Sequence, residues 1–226
     1  MEMNTKAVVF DFDGTLTISR ANNIWRLLYL ELGYDISDNS HYSKSLQSFK
    51  NKQYDYSHWV NINKNDFINA GLNKKIFNKV LKGISLISGL ETTLKTLSEK
   101  DIKLFLLSGN IGYSIDYVLG NLTNYFTEIS ANEAIFDESG NLIDLIATKY
   151  DFEGKADFIS KIREEFSLRP EEITFVGNGS NDVWAYKSGA KTICINPRGA
   201  DEDDHKKWTN VLLDVKDLTE ILEYID

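Results

Sequence analysis

Four short apolar runs set the rhythm of the chain: Ala7–Phe10, Ile102–Leu107, Ile173–Val176 and Thr192–Ile195. Their near-continuous aliphatic and aromatic composition is that of strands buried on both faces of a parallel sheet. Helical periodicity fills the intervals before the later three, over Leu90–Lys100, Lys155–Phe166 and Ser180–Ser188. This alternation predicts βα units and an α/β fold on a parallel sheet. Arg169-Pro170-Glu171-Glu172 is a short break before the third strand. Val211–Leu213 predicts a further edge strand, followed by a terminal helix from about Asp217 to Tyr224. Thr127–Ile146 alternates around Asp137-Glu138-Ser139-Gly140-Asn141 and predicts a hairpin with a Gly-containing turn.

The segment from Ile18 to Ile84 breaks the rhythm. It has no comparable strand run, but shows amphipathic patterns at Ile24–Leu32 and Ile76–Leu81. Aromatic residues recur through it at Trp25, Tyr29, Phe49, Tyr54, Tyr56, Trp59 and Phe67. A small helical insertion after the first strand is expected, with these aromatics as its core rather than as ligand contacts.

Composition narrows the function. At 226 residues the chain can bury a substantial core, and 42% hydrophobic with 26% charged residues is ordinary globular content. A net charge of −9 disfavours non-specific attachment to nucleic acid or an anionic membrane, which reward Lys/Arg clusters. It leaves room for a small anionic ligand, which responds to local charge. Cys194 is the only cysteine, so no intrachain disulfide is possible; within Thr192–Ile195 it reads as a packed strand residue. No stretch reads as a signal core or a membrane span, and a soluble cytoplasmic protein is expected.

The chemistry gathers at strand ends. Asp11 and Asp13 close the first run, in Lys6-Ala-Val-Val-Phe-Asp-Phe-Asp-Gly-Thr-Leu-Thr17. On an extended segment positions i and i+2 face the same side. A carboxylate pair there is costly to bury unless a metal or a cation compensates it. The second run ends in Ser108-Gly109-Asn110 ahead of a helix from about Gly112, a hydroxyl and free N–H groups suited to an anion. Lys155 opens a predicted helix, where an ammonium opposes the helix dipole. The third run ends in Gly177-Asn178-Gly179-Ser180-Asn181-Asp182, a source of the hard oxygen donors that Mg²⁺ prefers. Each segment alone also reads as a turn, a surface lysine or a helix cap.

Taken in order, the four segments resemble the motifs of the haloacid dehalogenase (HAD) superfamily of phosphohydrolases. The likeness spans nearly the whole chain, and the insertion resembles the helical cap of the phosphoserine phosphatase-like branch. It implies a Rossmann-like core over residues 1–17 and 85–226, with a cap over 18–84. It further implies a Mg²⁺-dependent phosphatase for a small phosphorylated metabolite, with Asp11 as nucleophile and Asp13 as general acid and base. Mg²⁺ would be held by Asp11, the backbone carbonyl of Asp13, Asn178 and Asp182. Ser108 and Lys155 would neutralise the phosphate, with further hydrogen bonds from Thr15, Gly109 and Asn181.

Two positions depart from the family pattern. Asn178 stands where a metal-binding Asp is usual, so weaker metal binding or a larger share for Asp182 is expected. Arg20 stands where phosphoserine phosphatases carry a Glu that meets the substrate amine. A cation there repels an ammonium, so a leaving group with an acidic or neutral substituent is expected. Two other functions fit the same residues: a phosphotransferase or mutase passing the phosphoryl group to a hydroxyl, or a catalytically weakened phosphate- and metal-binding protein. A dinucleotide-binding protein fits poorly, because no Gly-x-Gly-x-x-Gly follows the first strand.

Overall fold

The structure, a computed structural model, describes residues 5–18, 23–198, 204 and 206–225. The first apolar run forms β1 (Ala7–Phe10) at the centre of a seven-stranded sheet. On one side lie β4 (Lys103–Ile111), β5 (Glu128–Phe136) and β6 (Leu142–Ile146). On the other lie β7 (Ile173–Gly179), β8 (Lys191–Arg198) and β9 (Asn210–Leu212). Every pairing is parallel except β5–β6, the expected hairpin.

Helices α5 (Leu90–Glu99), α6 (Gly112–Leu119) and α7 (Gly154–Glu165) cover the faces. Successive β1 residues point to opposite faces and serve two separate cores. Val8 and Phe10 pack with α5 and α6, whereas Ala7 and Val9 pack with Phe158, Ile159 and Ile162 of α7. This explains why the run is apolar throughout rather than alternating. Phe10 pairs with both Leu106 and Val176, so the three central strands reach their carboxyl ends side by side.

Three expected boundaries differ. The second run does not stop at Leu107. Its ladder to β5 is interrupted there and resumes at Ile111, so Ser108, Gly109 and Asn110 lie in extended chain. The helix expected over Ser180–Ser188 is a 3₁₀ segment, Val183–Ser188, ended by Gly189 at φ 80°. Just before this segment, Asp182 folds its carboxylate back onto the N–H groups of Asn178 and Gly179. The terminal segment Leu218–Tyr224 is likewise 3₁₀, opened by Asp217 and Glu220 in a reciprocal capping box.

A two-stranded ribbon, β2 (Thr17–Ile18) with β3 (Ser85–Leu86), brings both ends of the insertion together. Between them run α1 (Ile24–Glu31), α2 (His41–Lys50), α3 (Tyr56–Asn69) and α4 (Lys74–Leu81). Asn23, Ser40, Asp55 and Asn73 cap these helices, each accepting from the N–H three residues on. Four of the seven aromatic residues expected as a core, Trp25, Tyr29, Trp59 and Phe67, are buried together with Phe77. Phe49, Tyr54 and Tyr56 are partly buried against them, and Trp25 and Trp59 also reach a cavity at the sheet's strand ends. That cluster also takes in Ile111 of β4 and Leu142 and Leu145 of β6, so the helical cap is docked on the hairpin. No helix among the described residues is long and apolar enough to cross a membrane.

Candidate active site

Asp11 and Asp13 leave β1 at its carboxyl end, with the fully buried Phe12 between them facing the core. Both line one cavity of about 460 Å³, as the i, i+2 spacing predicts. Gly14, at φ 78°, turns the chain immediately afterwards. A Cβ there would stand 2.2 Å from the Asn178 amide, so the glycine is what lets that side chain reach the cavity.

Ser108, Gly109, Asn178 and Asn181 line the same cavity. Lys155 rises beneath it from the first turn of α7 and is fully buried. Its ammonium donates to Asp11 Oδ1 at 2.9 Å and to Asp182 Oδ1, with Asp151 Oδ1 at 3.9 Å. One cation thus faces three buried carboxylates. Burial alone would lower the lysine's pKa, but Asp11, Asp182 and Asp151 together hold it above its ordinary value. It stays charged throughout the working pH range, despite a helix position that opposes the dipole.

The carboxylates shift the other way. Burial raises Asp11 well above the usual carboxylate range, and the Asp182 charge adds to this against the pull of Lys155. Burial likewise lifts Asp13 to about 7, opposed first by a hydrogen bond from Asn110. A buried acid with neutral-range proton affinity, as at Asp13, is the equipment of proton transfer near pH 7.

Like Lys155, the expected residues Asp182 and Thr15 do not line the cavity. Asp182, expected among the metal ligands, gives Oδ1 to Lys155 and Oδ2 to the backbone N–H groups of Asn178 and Gly179, at 2.9 and 2.8 Å. It is fully buried and anchors the fourth loop beneath the cavity. Thr15 is also fully buried, and its hydroxyl has no hydrogen-bond partner among the described residues. Arg20 lies outside the described residues.

Several site residues escaped the sequence reading. Asp151 lines the cavity, accepts from Asn181 Nδ2 at 3.1 Å, and packs so closely that a Cβ on Gly109 would be 2.0 Å from its Oδ2. Asn110 donates from Nδ2 to Asp13 Oδ2 at 2.8 Å. Asn132 of β5 reaches the carbonyls of Gly109 and Asn110 at 2.8 and 3.1 Å. From the cap, Trp25 Nε1 and the Tyr56 hydroxyl donate to the same Gly109 carbonyl at 3.0 and 3.3 Å. Asp151 sits one helical turn before Lys155, the only signal that could have found it. The Asn132 and cap contacts join positions far apart in sequence.

A parallel sheet with paired aspartates, a buried lysine and a polar loop at its strand ends defines the class. The model of the haloacid dehalogenase-like hydrolases matches residues 5–189, and the chain belongs to that family. Among curated relatives it is similar to a phosphoserine phosphatase of Methanocaldococcus jannaschii, 23% identical over 227 residues that cover 100% of both chains. It is also similar to one of Lactococcus lactis, 27% identical over 158 residues, 70% of each chain. Among solved structures, a substrate-bound phosphoserine phosphatase superposes with a TM-score of 0.73 at 21% identity, covering 98% of this chain and 99% of the other. A HAD-family hydrolase from Salmonella enterica serovar Typhi gives 0.77 at 16% identity, covering 100% and 72%. At these identities the structural likeness establishes the fold.

Proposed function

We propose that the protein is a Mg²⁺-dependent phosphomonoesterase acting on a small phosphorylated metabolite through an aspartyl-phosphate on Asp11. The observation that carries this reading is the convergence of Asp11 and Asp13 on one cavity, with Lys155 2.9 Å from Asp11 beneath it. The phosphoserine phosphatase relatives support a phosphate ester as substrate.

In the first step an Asp11 oxygen bonds to phosphorus while the bond to the leaving oxygen breaks. The leaving oxygen keeps the electron pair and takes the proton from Asp13. In the second, Asp13 removes a proton from water, the water oxygen bonds to phosphorus, and the bond to Asp11 breaks. Lys155 donates to Asp11 Oδ1 and favours its ionised, nucleophilic form against the burial that opposes it. The Ser108 hydroxyl, the Gly109 N–H and the Asn181 amide, all on the cavity wall, would hold phosphoryl oxygens, and the cap would exclude bulk water.

The donor set fits Mg²⁺. Asp11, Asp151 and Asp182 share Lys155, and Asp13 adds a fourth carboxylate to a cavity whose wall carries one further lysine, Lys50, leaving negative charge in excess beside the oxygen donors that Mg²⁺ prefers. Among the described residues no three Asp, Glu, His or Cys side chains form a metal-binding group. The ion would therefore rest on the Asp11 carboxylate, the Asp13 carbonyl, the Asn178 amide and water. When bound it offsets repulsion between the nucleophile and the phosphate.

We divide the chain into a catalytic core, residues 1–17 and 85–226, and a cap, residues 18–84. Because Leu142 and Leu145 belong to the cap's apolar cluster, cap motion would carry the hairpin with it or break that contact. The test is phosphate release from a panel of phosphomonoesters, phosphoserine included, by the native protein and Asp11→Asn, with Mg²⁺ or EDTA. Release that needs Mg²⁺ and falls at least about 10³-fold in the variant is expected. Undiminished activity of Asp11→Asn would refute the nucleophile, and product appearing only on an added alcohol would make the protein a phosphotransferase.

A further inference from the structure

We infer that Asn110 is a positioning residue for the Asp13 carboxyl group, holding one oxygen so that the other is presented to the leaving group. The inference rests on the phosphatase reading above.

Asn110 is almost wholly buried, and its side chain is committed at both ends. Its Oδ1 accepts the backbone N–H of Ile111 at 2.5 Å. The amide is thereby oriented: the oxygen end is taken by a donor, so the end turned to Asp13 is the NH₂. That nitrogen donates to Asp13 Oδ2 at 2.8 Å.

The consequence for Asp13 is geometric. An N–H directed at Oδ2 favours the carboxyl form in which Oδ2 is the unprotonated oxygen, because that oxygen is the stronger acceptor. An Asp13 carboxyl held by Asn110 therefore carries its transferable proton on Oδ1. Without the amide the carboxyl can rotate, and its proton is shared between a productive and an idle oxygen. Fixing it puts the proton where the scissile P–O bond breaks and the alkoxide appears.

The segment that carries Asn110 has little freedom to relax. Its own N–H donates to Ser108 Oγ at 3.1 Å, and its carbonyl accepts from the fully buried Asn132 at 3.1 Å. The preceding carbonyl, that of Gly109, takes Asn132, Trp25 and Tyr56 together. Two of those three donors come from the cap, so closure of the cap and the setting of the acid meet in one dipeptide. A buried amide with this many fixed partners is preorganised rather than a space-filling polar residue.

The test exploits leaving-group basicity. Departure of a strongly basic alkoxide needs a proton in the transition state, whereas p-nitrophenolate leaves without one. The ratio kcat/KM reports the steps up to leaving-group departure, so a later hydrolytic step does not obscure the comparison. Asn110→Ala should lower kcat/KM for an alkyl phosphate about 10²-fold and for p-nitrophenyl phosphate by less than about threefold. In an Asp13→Asn background it should cost nothing further on either substrate, since the group it positions has gone. Should Asn110→Ala fold poorly, Asn110→Leu is close in size, is uncharged, and offers Asp13 no donor; the same selective loss is expected. An equal loss on both substrates, or a cost that persists in Asp13→Asn, would overturn the assignment and leave the phosphatase reading intact. Absence of turnover of both esters by the native enzyme would overturn both.

Discussion

Replacing Asp13 by Asn should stabilise the metal-free protein, and more so as the pH rises. Burial lifts the Asp13 carboxyl from its ordinary 3.8 to about 7. Below pH 3.8 the group is protonated in both folded and unfolded chains and has no differential effect. Between 3.8 and about 7 the unfolded chain releases the proton while the folded one retains it, so stability falls with rising pH. Above 7 the full cost of the buried charge remains. At 1.36 kcal/mol per pH unit the displacement amounts to about 4 kcal/mol. Asp13 faces the cavity and is only half-buried, so screening reduces this to roughly 2 kcal/mol. An Asn side chain is nearly isosteric, does not titrate, and can still accept from Asn110. Removing the Asp13 charge also relieves Asp11, whose carboxyl it pushes upward, and this works in the same direction.

The assay is urea unfolding of native and Asp13→Asn protein in EDTA at several pH values from 4 to 8. The two curves should nearly coincide at pH 4. By pH 8 the variant should be ahead by about 2 kcal/mol, despite its lost activity. With Mg²⁺ present the advantage should shrink, because a cation offsets the same charge. A difference independent of pH, or a variant less stable at pH 8 than at pH 4 relative to native, would refute the reasoning.

Two further outcomes follow from packing and charge at the same site. Gly109→Ala should cost about 1–3 kcal/mol, because the new methyl meets Asp151 Oδ2 at 2.0 Å, and Asp151→Ala in the same chain should recover most of it in unfolding experiments. Asn178→Asp should lower the Mg²⁺ concentration that gives half-maximal activity by about tenfold, since it adds a negative charge beside a dication. Unchanged Mg²⁺ dependence would remove Asn178 from the metal site.

Much of the fold is legible because strand burial writes itself locally. Val8 and Phe10 serve one core and Ala7 and Val9 the other, so β1 had to be apolar at every position. The helical insertion was readable in part: the apolar periodicity of α1 and α4 is a short-range signal, whereas α2 and α3 showed only as recurring aromatics. In the structure each helix starts where a side chain satisfies an otherwise free N–H. The two 3₁₀ segments were not readable. Val183–Ser188 carries enough apolar residues to suggest a helix, but it follows an Asp182 whose carboxylate turns back to the fourth loop, and it closes within six residues at Gly189. No periodicity encodes that.

The sequence by itself determined which residue types stand at the strand ends and in what order, because strand termination and i, i+2 spacing are local properties of the backbone. Asp11 and Asp13 share a cavity for that reason. Tertiary structure decided how the charges are apportioned. Asp182 and Lys155 are 27 residues apart and Lys155 and Asp11 are 144 apart, yet they form one buried ion cluster. It also decided that Asp182 anchors a loop on buried N–H groups, and that the Asn110 amide donates to Asp13. Desolvation and hydrogen-bond direction set those roles. Both depend on which chains meet across the sheet, and neither is a property of a segment taken alone.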